Sequence, residues 1–197
     1  KSHSKLLFNP FSYFSKKQTL IIGLIIIFIA GIINYFTSTH FDGIFDIHTG
    51  RPSPFIVFLL EGYINLIIIT GSLLILGKLF TKQNVNILNF LGQQALARWP
   101  LLIASIITIS KPYQNFISVK SVQEIKEFGI FSFNSLNNTI VSLSLIFIFV
   151  IILWMIILMY KSFKQTFKVQ GIKGAFLFIS GSIIAEIISK LIILRII

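Results

Sequence analysis

SIIAEIISKLI, residues 182–192, places Glu186 and Lys190 one helical turn apart in a run otherwise made of isoleucine, leucine, alanine and serine. The stretch is apolar enough to enter a lipid bilayer, where charged side chains are expensive unless other segments supply partners. The wider run, residues 174–196, has the ~20 residues that a helix rising ~1.5 Å per residue needs to cross a ~30 Å hydrocarbon core.

The whole chain repeats this character. Of its 197 residues, 55% are hydrophobic and only 12% charged, with a mean hydropathy of +0.88, which is too apolar for a soluble domain with a polar surface. Five spans are expected, at 19–36, 55–80, 85–110, 139–160 and 174–196. The fold class is therefore all-α, a polytopic membrane helical bundle. No Pro/Gly/Ser-rich linker divides it, so residues 1–197 read as one membrane domain. Residues 1–18, with Asn9 and Pro10 as a helix start followed by aromatics and lysines, read as an interfacial segment. The first apolar run is read as a span rather than a signal peptide: the polar region before it is long, and Thr37-Ser38-Thr39 is a poor cleavage site.

The formal charge of +11 lies between the apolar runs, not on a polar face with interleaved aromatics, so no nucleic-acid partner is expected. Lys1, Lys5, Lys16, Lys17, Lys78, Lys82, Lys161, Lys164, Lys168 and Lys173 fall on one side of the spans. The opposite loops hold Arg51, Lys111, Lys120 and Lys126, diluted by Asp42, Asp46, Glu124 and Glu127. This asymmetry predicts a cytoplasmic N-terminus and an external C-terminus. With no cysteine present, disulfides, thiolate metal sites and cysteine nucleophiles are excluded.

Polar residues recur inside the spans. Glu61 and Asn65 lie one turn apart in the second, and Gln94 and Arg98 one turn apart in the third, where Pro100 should kink or break the helix. In the fifth, Gly181, Ala185 and Ser189 form a small-residue packing stripe beside Ser182, Glu186 and Lys190. At ~1.5 Å per residue Glu61 lies about 10 Å below the outer surface and Lys190 about 24 Å above the inner one. Glu61, Arg98, Glu186 and Lys190 are therefore expected to meet in the outer half as a charge network without net charge, supported by Asn65, Gln94 and Ser182.

Two loops carry further candidates. HFDGIFDIH offers His40, Asp42, Asp46 and His48 as divalent-metal ligands, although the spacing matches no tight zinc pattern and a solvated loop is the expectation. KSFKQTFKVQGIK puts Lys161, Lys164 and Lys168 on one helix face and Phe163 and Phe167 on another, as an interfacial segment touching anionic lipid. No hydrolase elbow, phosphate loop or HExxH motif is present. No enzymatic activity and no cofactor are expected.

The motifs FNPFSYF, GKLF followed by FLGQQALARWPLL, and WMIILMYKSFKQTFKVQGIKGAFLFISGSII together resemble the bacterial branch of the Yip (Ypt-interacting protein) family of five-span membrane proteins. The resemblance covers nearly the whole chain and implies a helical bundle with the same orientation as the lysine count. Eukaryotic members act in vesicle traffic and bind Rab-class small GTPases, but the acidic Tyr-Gly-Pro-type element found in them is not matched here. The function implied is that of a non-catalytic scaffold or membrane-organising, trafficking-like factor in a bacterial cytoplasmic membrane. Its partners would be membrane lipids, with a protein partner or a second copy as further candidates. The alternatives are a small transporter or channel component using Glu61 or Glu186, and an accessory subunit of a larger membrane complex.

Overall fold

Ser15 starts the first long helix by a reciprocal device. Its hydroxyl accepts from the Gln18 amide while the Gln18 side chain accepts from the Ser15 amide, which satisfies two of the donors that a helix start leaves open. In the computed structural model, which describes residues 7–50, 52–111, 113–114 and 136–195, a 3-10 turn at Pro10–Ser12 precedes this helix, α1, Lys16–Thr37. Strands β1, Thr39–His40, and β2, His48–Thr49, come next, then α2, Phe55–Thr81, α3, Ile87–Ala97, and α4, Trp99–Ile107. Helices α5, Leu136–Phe167, and α6, Gly171–Ile193, complete the order. Lys1, Lys5, Arg51, Lys120, Glu124, Lys126 and Glu127 lie outside the described residues, as do residues 1–6 of the expected interfacial segment.

Five helical stretches are long and apolar enough to cross a membrane, with α3 and α4 together making the third. The chain is built as a multi-pass membrane protein. Burial is accordingly inverted: Phe36 is 78% and Ile172 90% exposed, while Glu61, Asn65, Gln94, Arg98 and Ser162 are buried. Lipid welcomes the first group, and only other parts of the protein can satisfy the second.

Small residues set the helix contacts, since close backbone approach is what binds helices in an apolar solvent. A Cβ on Gly23 of α1 would stand 2.6 Å from the backbone of Ala95 and Leu96, and one on Gly92 of α3 would stand 3.0 Å from that of Leu20. The predicted stripe Gly181, Ala185 and Ser189 is buried, with Gly181 against Leu73 of α2. The pairs α1 with α3 and α2 with α6 are the most extensive; α5 and α6, though consecutive, touch little.

Pro100 acts as expected. Helix α3 stops at Ala97, Arg98 takes φ −84° and ψ 0°, and α4 restarts with the proline in its first turn, where a missing N–H costs nothing. Two expectations need correction. The fourth helix does not end near residue 160 but continues through Lys161 and Lys164 to Phe167, leaving a connection of three residues, 168–170. Phe163 and Phe167 are fully buried against Phe90 and Phe178, and that packing extends the helix. The loop read as solvated contains an antiparallel pair in which Thr39 faces Thr49 and His40 faces His48.

Candidate functional site: a folded-back loop held by two carboxylates

The segment joining β1 to β2 turns into the bundle instead of away from it, and Phe41 and Ile44 join the main hydrophobic core. Its peptide groups are buried with them, and each buried N–H and C=O must find a partner. Side chains of α2 and α6 supply these partners. Glu61 Oε2 accepts from the Phe41 amide at 2.8 Å, and Asn65, one turn further along α2, donates to the carbonyls of Phe41 at 2.6 Å and Gly43 at 2.9 Å. Ser189 of α6 donates to the Asn65 carbonyl oxygen and so orients its amide.

Glu186 completes the clasp from α6. Its Oε2 accepts from the amides of Ile44 at 2.7 Å and Phe45 at 3.2 Å. Gly43 makes this approach possible, because a Cβ there would collide with Glu186 Oε1. Lys190 then donates to Asp46 at 2.6 Å and lies 3.7 Å from Glu186 Oε1.

The four charges predicted to form one network are thus divided. Glu186 and Lys190 stay together, joined by Asp46. Glu61 pairs instead with His40, whose Nδ1 lies 2.6 Å from Oε1 in a site where both side chains are almost wholly buried. The His40 ring is stacked on Phe58 at 4.6 Å between centroids. Arg98 is 2% exposed, and it makes no ion pair within 4.0 Å among the described residues. Among the described residues its Nε and Nη2 have no hydrogen-bond partner, nor does the Asn34 carbonyl oxygen. Arg98 and Asn34 line one narrow cavity together with Phe41, Phe58 and Gly62.

The supporting residues also separate. Asn65 belongs to the clasp. Gln94 lies in a second seam between α3 and α5, donating to the Met159 carbonyl at 3.3 Å and to Ser162 at 3.2 Å, while Ser162 and Thr166 donate to Gln93. Ser182 lines a groove between α5 and α6. Of the metal-ligand candidates, Asp42, Asp46 and His48 bring their ligand atoms within 4.8 Å of one another. His40 is turned to Glu61 instead, and the Lys190 ammonium already sits on Asp46. Lys161 donates to the Phe8 carbonyl at 3.0 Å, and Lys164 lies 5.8 Å from the Tyr160 ring.

His40 as the partner of Glu61 was missed from sequence, as were the loop amides that receive both carboxylates. The available signal was the apolar content of the loop, Phe41, Ile44, Phe45 and Ile47 among aspartates, which is unusual for a segment meant to face water. No protein-family model, curated protein or solved structure matches the chain.

Proposed function

We propose that this chain is a non-catalytic scaffold or membrane-organising factor of the Yip type in a bacterial cytoplasmic membrane, with its N-terminus cytoplasmic and its C-terminus external. One observation carries the reading: both intramembrane carboxylates are engaged on backbone amides of a single loop. A carboxylate holding one or two N–H groups fastens a fold, and releasing it to carry protons would leave those donors unsatisfied in the bundle. The distribution of lysines supports the orientation.

The test uses Glu61→Gln and Glu186→Gln. A scaffold loses thermal stability in detergent with both and supports no pH-dependent flux in proteoliposomes, with or without the substitutions. Flux that either substitution abolishes would replace the reading with a transporter. For sidedness, the absence of native cysteine lets Lys82→Cys and His48→Cys report by labelling of intact cells. His48→Cys should react with an impermeant maleimide and Lys82→Cys should not; the reverse pattern would invert the orientation.

The second reading, a small transporter or channel component, is favoured by Arg98, a buried cation with two unpartnered donors beside a cavity. The accessory-subunit alternative relied on the stripe of Gly181, Ala185 and Ser189 facing a partner. That stripe is used within the chain, against α2.

A further inference from the structure

The connection from α2 to α3, the first turns of α3 and the end of α5 enclose a cup of about 230 Å³. Asn84, Asn86, Asn89, Gln93, Gln165 and Thr166 line it, with Val85 the one apolar residue. It is smaller than the ~300–1,000 Å³ of sites for drug-sized ligands, which suits a single small polar group.

Two of its amides are held in one orientation. A chain of hydrogen bonds starts at the Met159 carbonyl, a pure acceptor, to which Gln94 donates at 3.3 Å while also donating to Ser162 Oγ at 3.2 Å. Ser162 in turn donates to Gln93 Oε1 at 2.9 Å, and Thr166 donates to the same oxygen at 3.2 Å. Gln94 and Ser162 are fully buried, so the core fixes the root of the chain. With its oxygen taken twice, Gln93 turns its NH2 to the cup. Asn86 is set in the same way: its Oδ1 accepts from the Asn89 amide at 2.9 Å, which leaves its NH2. Both amides therefore offer donors and no acceptor, supported from behind as a binding group must be.

Charge decides what those donors receive. Lys82, Lys164 and Lys168 are exposed and stand within two residues of lining positions. The described carboxylates belong to the opposite end of the bundle. Glu61 lies twenty residues before Thr81, about 30 Å along α2. Glu186 lies fifteen residues past Gly171, about 22 Å along α6, and Asp42 and Asp46 sit in the clasped loop. These separations exceed the ~8 Å over which charges are felt at physiological ionic strength. Among the described residues, the cup has only cations around it.

We propose that this cup binds a phosphate group, carried on a soluble ester or on a lipid headgroup. Its oxygens accept from Gln93 and Asn86 together, with Asn84, Asn89 and Gln165 turning their NH2 groups inward, and the lysines balance its charge. Chloride presents one atom to donors spread around a cup, whereas phosphate presents several. A sugar needs acceptors for its hydroxyl hydrogens, and the two oriented amides supply none. The inference rests neither on the scaffold reading nor on which side of the membrane this end faces.

The test has two arms, both on the full chain. One titrates inorganic phosphate in detergent against chloride at matched ionic strength and follows the melting temperature. The other reconstitutes the chain in phosphatidylcholine bilayers containing a minority of phosphatidic acid and reads retained lipid by native mass spectrometry. Stabilisation in the first arm assigns a soluble ester and enrichment of phosphatidic acid in the second assigns a headgroup; either supports the proposal when Gln93→Glu removes it. That variant keeps an acceptor for Ser162 and Thr166 but sets a negative oxygen where the NH2 stood. It should weaken binding about tenfold or more, the loss of one hydrogen bond to a charged group. Asn89→Asp should weaken binding without lowering the melting temperature, because an acidic residue in the first turn favours α3. No effect in either arm, equal stabilisation by chloride or by sorbitol, or undiminished binding in folded Gln93→Glu and Asn89→Asp would each overturn the proposal.

Discussion

Glu186 Oε2 stands 2.7 Å from the backbone nitrogen of Ile44, a residue 142 positions earlier in the chain. That contact ties the last helix to the first loop, and a second bond from the Phe45 amide shares the same oxygen. Glu186→Ala leaves both amides without an acceptor. Since hydrogen bonds to charged groups contribute ~1.5–3 kcal/mol each, the expected loss is about 3–5 kcal/mol in reversible unfolding, with faster hydrogen exchange at Ile44 and Phe45. Glu186→Gln keeps an acceptor and should lose less. Equal exchange in wild type and Glu186→Ala would show that the clasp contributes little.

His40 and Glu61 form a local pair whose strength can be isolated. Glu61→Gln retains an acceptor for the Phe41 amide while removing the carboxylate that faces the imidazole, so a cycle with His40→Ala reports chiefly on the pair. Buried partners in direct contact couple by about 0.5–3 kcal/mol, and the upper half of that range is expected here. Additive single and double variants would contradict a direct pairing at 2.6 Å.

Arg98 provides a contrast. Breaking a buried ion pair costs ~3–5 kcal/mol, whereas a buried charge without a close partner carries a desolvation cost that no contact offsets, so an apolar side chain of similar volume in its place relieves that cost. Arg98→Met is therefore expected to melt at or above the wild-type temperature. A loss of several kcal/mol would restore the single four-charge network that Glu61, Arg98, Glu186 and Lys190 suggest on paper.

Two glycines separate packing from helix propensity. Gly23→Ala drives a methyl group to 2.6 Å from the backbone of α3, which cannot yield as a flexible side chain would, and overpacking of this kind costs about 1–3 kcal/mol. Gly71→Ala meets nothing within 4 Å and should gain roughly 0.5–1 kcal/mol from lower backbone entropy in the unfolded chain. Thermal unfolding of the two variants in the same detergent should shift in opposite directions.

Much of this protein could be read without coordinates, because the properties concerned are local. A run such as 176–194 is long and apolar enough to cross hydrocarbon whatever surrounds it. Pro100 must interrupt its helix because it lacks an N–H and crowds the preceding turn. The small residues Gly181, Ala185 and Ser189 mark a packing face by their size alone. The presence of Glu61, Arg98, Glu186 and Lys190 within spans was equally plain, as was the need for each to be accommodated.

Which group satisfies which charge was decided only in three dimensions. Glu61 reaches a histidine 21 positions away, Glu186 reaches amides 142 and 141 positions away, and Asn65 bridges loop carbonyls to Ser189. Backbone donors are the same at every residue, so sequence carries no mark of which amide will be buried and in need of an acceptor. Once the loop carries Phe41 and Ile44 into the core, its own peptide groups become the strongest local claim on the carboxylates. Helix depth places a charge along the membrane normal, but rotation and lateral position, set by the packing of separate helices, choose its partner.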